Sequence, residues 1–134
     1  FHRINFINPL ITEDFINKCG EASVLLDTIW FGAGNSFHES MFYGTPTITM
    51  PTDYLKSNIV MGAYKQMKIN NAPIVENIDE YVNKAVELAN LDNGKMLEFK
   101  MFLKEKAEEN LYENINFVKE LEKIFLKILE NKVK

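Results

Sequence analysis

The sequence predicts an α/β fold with an open, mostly parallel, Rossmann-like sheet and a C-terminal helical tail. Three short runs of apolar and β-branched residues, 3–7, 23–27 and 47–50, alternate with segments of helical character. Strands joined by single helices pair in parallel through right-handed crossovers. From residue 77 on the strand pattern ends, and apolar residues recur at helical spacing, with Lys and Glu alternating outside the apolar stripe of the last helix.

The first elements follow from local signals. "RINFI", residues 3–7, is β-branched and aromatic and is followed by a proline, which predicts a strand. Thr12 is a favourable N-cap residue for a helix to about Cys19, and Gly20 is placed as its C-terminal cap. "SVLLD", residues 23–27, is a continuous apolar run, typical of a strand that is covered on both faces.

The later elements are predicted by the same reasoning. Glycine and proline mark the turns, and apolar periodicity separates strands from helices. In chain order they are a loop (28–34), a helix to a glycine (35–43), a strand (47–50), a helix (53–67), a weak strand (72–75) and three helices (78–89, 95–110 and 115–132). We therefore interpret residues 1–92 as the α/β domain. Residues 93–134 are expected to pack on it or on a lobe outside this sequence.

Composition excludes several classes of function. The 134 residues carry a formal net charge of −4, so we expect neither nucleic acid nor a membrane surface as a partner. Cys19 is the single cysteine, which fits a reducing, cytoplasmic location. No metal site is expected, because Cys19 has no companion at ligand spacing and His2 and His38 are far apart in the sequence. The chain begins at Phe1, immediately before a predicted strand and without an initiator methionine, so we expect it to be part of a longer protein.

The loop 28–34 carries the candidate site. Ligands of open α/β sheets bind beyond the carboxyl ends of the strands, and this loop follows such an end and precedes a helix. Backbone N–H groups of residues 35–37 would attract a phosphate, and the glycines would let it approach closely. Glu39 lies one helical turn after Asn35, where its carboxylate would accept hydrogen bonds from ribose hydroxyls. The alternative from spacing alone is a structural glycine turn beside a surface glutamate.

One ordered set of residues resembles a known family. The run "LLDT…GAGNSFHESMFYGTPTITMP" is similar to the O-linked N-acetylglucosamine transferase and SPINDLY glycosyltransferases, in the C-terminal, donor-binding half of their GT-B fold. Its features are Leu26-Asp27-Thr28, two glycines in the loop, Asn35-Ser36, Glu39, Gly44-Thr45-Pro46 and Thr49-Met50. The resemblance continues less specifically through the terminal helices, so it covers nearly the whole chain.

The resemblance implies a role for each matching residue. Gly34, Asn35 and Ser36 would hold the donor diphosphate, and Glu39 would hold the ribose. Phe15 falls where relatives place a flat ring against the base, with a core phenylalanine as the alternative reading. Asp27 and Gly32 would support the loop. The implied donor is UDP-N-acetylglucosamine or another nucleotide sugar such as GDP-fucose, with no metal cofactor.

Two departures from the family pattern limit what the chain is expected to do. Relatives that transfer N-acetylglucosamine to protein often carry histidine at the position of Gly34 and a hydroxyl residue at that of Asn35, so the donor sugar stays open. The family's phosphate-binding lysine falls before Phe1, and the lobe that binds the protein acceptor is outside this sequence. Because neutralising the leaving diphosphate is central to metal-independent transfer, we expect this portion alone to be inactive, with no catalytic residue of its own.

The predicted function is the nucleotide-sugar-binding portion of a glycosyltransferase that moves a sugar to Ser or Thr of a protein. The competing hypothesis is a non-enzymatic α/β module whose terminal helices bind a protein partner. The two differ in what occupies the loop 28–34: a nucleotide in the first case, and no ligand in the second.

Overall fold

Helices and short strands alternate along the chain in a computed structural model, which describes residues 2–132. In chain order the elements are α1 (Thr12–Glu21), β1 (Leu25–Leu26), α2 (Asn35–Ser40), β2 (Thr47–Ile48), a 3-10 turn (Leu55–Ser57), α3 (Ile59–Gln66), α4 (Ile78–Ala89), α5 (Asn93–Asn110) and α6 (Ile115–Lys132). The predicted α/β class with a helical C-terminal part is therefore confirmed.

The two strands form a parallel sheet. Leu25 pairs with Thr47 and Leu26 with Ile48, and α2 makes the crossover between them. One further bridge joins Thr49 to Ile74, which is all that forms of the weak strand predicted over residues 72–75. Within residues 2–132 the sheet has two strands. The wider, Rossmann-like sheet therefore stays a prediction.

The prediction of a strand over residues 3–7 is wrong for this structure. Residues 4–11 are irregular and exposed, and the side chain of Phe6 is 94% accessible. An isolated strand leaves its backbone N–H and C=O groups without ladder partners, so it is not stable without a neighbour.

The prediction that residues 23–27 are covered on both faces is also wrong, because β1 is an edge strand and Leu26 is exposed.

The ends of α1 differ from the prediction. Thr12 is the first helical residue, and Ile11 holds the N-cap position without a side-chain cap. The helix continues through Gly20 to Glu21 instead of ending there. Packing explains Gly20 better than capping does, because a Cβ atom at this position would lie 2.6 Å from the ring of Tyr43.

Two predicted helices are shorter than expected. The helix predicted over 35–43 ends at Ser40, and a turn follows it. The helix predicted over 53–67 becomes the 3-10 turn and then α3. The hydroxyl of Ser57 accepts from the N–H of Thr52 and donates to the carbonyl of Tyr54, and such local side-chain bonds compete with regular helix.

The caps of the later helices follow their sequences. The Asn77 side chain accepts from the backbone N–H of Glu80 at 2.9 Å and caps α4. Asp92 caps α5 in the same way through the N–H of Lys95. The helix predicted over 95–110 therefore begins two residues earlier, because Asn93 and Gly94 lie in the first turn of α5.

The main core is formed by α2, α3 and α5. Its fully buried members include Phe37, Met41, Tyr64, Met67 and Leu103. A second cluster joins Ile48 of β2 to Val75 and to Leu88 of α4. These clusters hold β2 and α2 in fixed positions beside the end of β1.

The two terminal helices differ in burial. Leu103 and Ala107 of α5 lie in the main core, whereas every residue of α6 from 115 to 131 is exposed. The division of the chain at residue 93 stays a prediction. Within residues 2–132, no helix combines the length and the apolarity that crossing a membrane requires.

Candidate functional site

The site is built at the carboxyl edge of the sheet. Because β1 and β2 are parallel, Asp27 and Thr49 follow their strands on the same side. The hydroxyl of Thr49 donates to Asp27 Oδ2 at 2.7 Å, and both side chains are buried. This is the edge at which ligands of α/β sheets bind.

The carboxylate of Asp27 also holds the loop that follows it. Its Oδ1 atom accepts from the backbone N–H of Ala33, six residues later, at 2.6 Å. Inside the loop, the hydroxyl of Thr28 donates to the carbonyl of Phe31. Asp27 is only 5% accessible, so its carboxylate is hydrogen-bonded mainly to these protein donors and little to solvent. The loop 28–34 is thus closed on Asp27.

Gly32 ties the loop to a second segment. Its N–H donates to the carbonyl of Lys56 at 2.8 Å. A Cβ atom at Gly32 would lie 3.0 Å from that carbonyl oxygen and 3.4 Å from Asp27 Oδ2. A side chain at this position would push the loop away from both neighbours, so glycine is required by close approach.

The start of α2 presents Gly34, Asn35 and Ser36. The N–H of Phe37 donates to the carbonyl of Gly34 at 3.2 Å, so the expectation that Phe37 offers its N–H to a phosphate is wrong. Asn35 and Ser36 remain as candidates, and both are exposed. A Cβ atom at Gly34 would meet no atom within 4 Å, so the space beside this residue is open.

A cleft of about 420 Å³ lies beside the loop. Five of the residues predicted for the site line it: Phe15, Asp27, Gly32, Gly34 and Ser36. The remaining lining is mainly apolar and comes from Cys19, Leu25, Leu26, Thr28, Phe31, Ala33, Phe37 and Thr47. The structure therefore brings together the residues predicted for the base, the loop and part of the diphosphate.

Asn35 and Glu39 are not among the residues that line this cleft. Glu39 is half-buried and lies close enough to Cys19 for its charge to act on the thiol. The pKa of Cys19 is raised first by burial and second by that charge. Glu39 therefore lies within electrostatic range of Cys19, which lines the cleft.

Sequence reasoning missed Tyr81 at this site. Its hydroxyl donates to the main-chain carbonyl of Asp27 at 2.7 Å, from a helix 54 residues further along the chain. Burial and the charge of Asp27 raise the pKa of Tyr81 to about 12. No local signal marks this residue, because in the sequence it is one of several apolar positions of α4. Phe31 was missed as well, since a loop aromatic has no periodic pattern to place it.

His38 is not among the residues that line the cleft. The Nδ1 atom of His38 lies 3.0 Å from the carbonyl of Gly34, and its ring meets Phe37 edge-on.

Across residues 2–132, no three His, Cys, Asp or Glu side chains are grouped as metal ligands. That the function needs no metal cofactor stays a prediction.

The fold is similar to that of a glycosyltransferase. A solved structure of a mutant O-GlcNAc transferase from Thermobaculum terrenum superposes with a TM-score of 0.77 over 89% of this chain, at 18% identity. The matched part is 23% of that chain. At this identity the comparison establishes the fold alone.

A curated relative adds a likeness in sequence. The chain is 26% identical over 117 residues to a probable UDP-N-acetylglucosamine--peptide N-acetylglucosaminyltransferase SPINDLY from Solanum lycopersicum. The aligned part is 87% of this chain and 12% of the relative, so the chain spans about an eighth of its length. No protein-family model matches the chain. The resemblance to the O-linked N-acetylglucosamine transferase and SPINDLY family is thereby confirmed.

Proposed function

We propose that this chain is the nucleotide-sugar-binding portion of a glycosyltransferase that moves a sugar from a nucleoside diphosphate to Ser or Thr of a protein. N-acetylglucosamine is the first candidate sugar and fucose the second. The fold would be the C-terminal half of a GT-B enzyme, whose wider Rossmann-like sheet and acceptor-binding lobe include segments beyond this sequence. Transfer itself would need those segments, so the chain alone would bind donor without turnover.

The observation that carries the proposal is the closed loop at the carboxyl edge of the sheet. Asp27 and Lys56 fix this loop through the N–H groups of Ala33 and Gly32. A loop held in this way presents its backbone and the start of α2 at little cost in entropy on binding. The open space at Gly34 leaves room for a phosphate group.

The roles within the site follow from chemistry and position. Gly34, Asn35 and Ser36 would contact the diphosphate, and Phe15, which is half-buried at the cleft, would stack on the base. Glu39 would accept hydrogen bonds from the ribose hydroxyls. A metal ion is not part of the proposal, because charge neutralisation is assigned to the family's lysine outside this sequence.

A second function is supported by α6. Its exposed large apolar side chains include Phe117, Leu121, Phe125 and Ile128, and a helix with an apolar stripe packs on another surface when one is present. A non-enzymatic interaction module would use this stripe and leave the loop 28–34 without a ligand.

Chemical-shift mapping with UDP and with GDP tests the proposal. We expect one nucleotide to shift the amides from Gly32 to Glu39 and to raise the thermal unfolding midpoint. Affinity is expected to be weak, because the family's phosphate-binding lysine is outside this sequence. Its contact to the phosphates would contribute roughly 1.5–3 kcal/mol. Shifts confined to α6, or none with either nucleotide, would favour the interaction module. Adenosine diphosphate serves as the control for non-specific phosphate binding.

A further inference from the structure

All the polar groups of Asp27 are engaged, each with a different part of the fold. Its N–H donates to the carbonyl of Ile48 in β2 at 3.0 Å. Its carboxylate accepts from Ala33 in the loop and from Thr49 after β2. Its main-chain carbonyl accepts from the hydroxyl of Tyr81 in α4. Among these contacts, the bond from Tyr81 joins Asp27 to an element outside both the sheet and the loop.

We infer that Tyr81 is a positioning residue for the proposed nucleotide-sugar site, acting through Asp27 on the loop 28–34. The inference rests on the proposed function. The end of β1 has no continuing ladder after Asp27, so its carbonyl direction is set by the hydroxyl of Tyr81. That direction orients the Asp27 side chain, which in turn fixes the N–H of Ala33 beside Gly34.

Tyr81 is well placed for this role because α4 is itself anchored. Asn77 caps the helix, and Leu88 packs with Ile48 in the second core cluster. The hydroxyl is protonated at neutral pH, as for any tyrosine with the ordinary pKa of about 10, and burial raises the pKa of Tyr81 further, to about 12. A donor on a packed helix holds its acceptor more firmly than water would, and such support controls the geometry of a site.

The alternative is that Tyr81 only satisfies a carbonyl that would otherwise lack a donor. That role would affect stability alone, whereas positioning would also affect the loop and the ligand. Tyr81→Phe removes the hydroxyl and keeps the ring. Tyr112→Phe is the matched control, because Tyr112 is also half-buried, also donates to a main-chain carbonyl, that of His38, and also has its pKa raised to about 12.

The experiment measures two quantities on the full chain of each variant, well below its unfolding midpoint. One is the hydrogen-exchange rate of the Ala33 amide, and the other is the dissociation constant for UDP, with GDP measured in parallel. For Tyr81→Phe we expect Ala33 to exchange faster and binding to weaken, each by roughly three- to tenfold, the effect of one lost hydrogen bond. For Tyr112→Phe we expect both quantities to match the parent.

The outcomes separate the inference from the proposed function. If Tyr81→Phe lowers the unfolding midpoint but leaves Ala33 exchange and nucleotide affinity at the parent values, the positioning role is overturned. The same conclusion follows if Tyr112→Phe changes both quantities as much. If the parent binds neither UDP nor GDP, the proposed function fails, and Ala33 exchange alone still decides whether Tyr81 fixes the loop.

Discussion

Gly44 lies directly against the backbone of Lys100: a Cβ atom at Gly44 would stand 1.8 Å from the Lys100 carbonyl oxygen. The residue also has a φ of +63°, a conformation that favours glycine. The turn between α2 and β2 therefore touches α5 without any side chain between them. This contact gives a packing reason for the glycine of the Gly44-Thr45-Pro46 turn.

Gly44→Ala should destabilise the fold severely. The added methyl group must displace the backbone of α5, and the left-handed conformation adds its own strain, so we expect a loss of about 3 kcal/mol or more. Gly34→Ala is the matched control, because its methyl group meets open space and should cost less than about 1 kcal/mol. Urea unfolding measures both, and a similar cost for the two variants would contradict the packing at Gly44.

Much of the fold was predictable because its signals are local. The order of the elements, the limits of α4 and α6 and the parallel pairing follow from periodicity and from turn residues. The strand expected over residues 3–7 failed for a non-local reason. A β-branched run becomes a strand only beside a partner, and local sequence does not say whether that partner is present.

The site was predictable in part for the same reason. Asp27, Gly32, Gly34 and Ser36 line one cleft and lie within ten residues of one another, whereas Phe15 reaches the cleft from α1 and was predicted from the family resemblance. Tyr81 could not be found, because its bond to Asp27 joins residues 54 positions apart.

Asp27→Asn should loosen the loop and lower stability. The carboxylate accepts from two donors, Ala33 N–H and the Thr49 hydroxyl, whereas an amide offers one oxygen and turns an NH₂ group toward the other donor. We expect a loss of about 1–3 kcal/mol in the free energy of unfolding. Asp53→Asn, at an exposed position, is the control and should stay within about 0.5 kcal/mol. Equal stabilities for the two variants would show that the Asp27 network contributes little.

Stability should fall at alkaline pH because of buried tyrosines. Burial is the first cause that raises the pKa of both Tyr81 and Tyr112 to about 12, against about 10 in the unfolded chain. Above pH of about 10 the unfolded state loses these protons while the folded state keeps them, so the free energy of unfolding decreases until pH of about 12. Urea unfolding across this range should show a shallower decrease in Tyr81→Phe than in the parent. An identical pH profile in the two proteins would contradict the raised pKa.

Removal of α6 should leave the rest of the fold stable. Residues 115–131 are all exposed, and the core helix α5 ends before them. Deleting residues 115–134 is therefore expected to change the free energy of unfolding by less than about 1 kcal/mol. A deletion that also removes Ala107 in the last turn of α5 and Leu111 directly after it is the contrasting variant and should unfold the protein. A loss of several kcal/mol on removing α6 alone would mean that α6 stabilises the core.

Glu39→Ala tests the ribose assignment. A carboxylate that accepts from ribose hydroxyls contributes through charge-assisted hydrogen bonds, so its loss should weaken nucleotide binding roughly ten- to a hundredfold. Stability should change little, because Glu39 is half-buried and outside both core clusters. Titration calorimetry with UDP and GDP measures the affinity, and Glu120→Ala on α6 is the control that should bind as the parent does. If Glu39→Ala binds as tightly as that control, the ribose contact belongs to another residue. Glu39 would then act at the cleft only through the effect of its charge on Cys19.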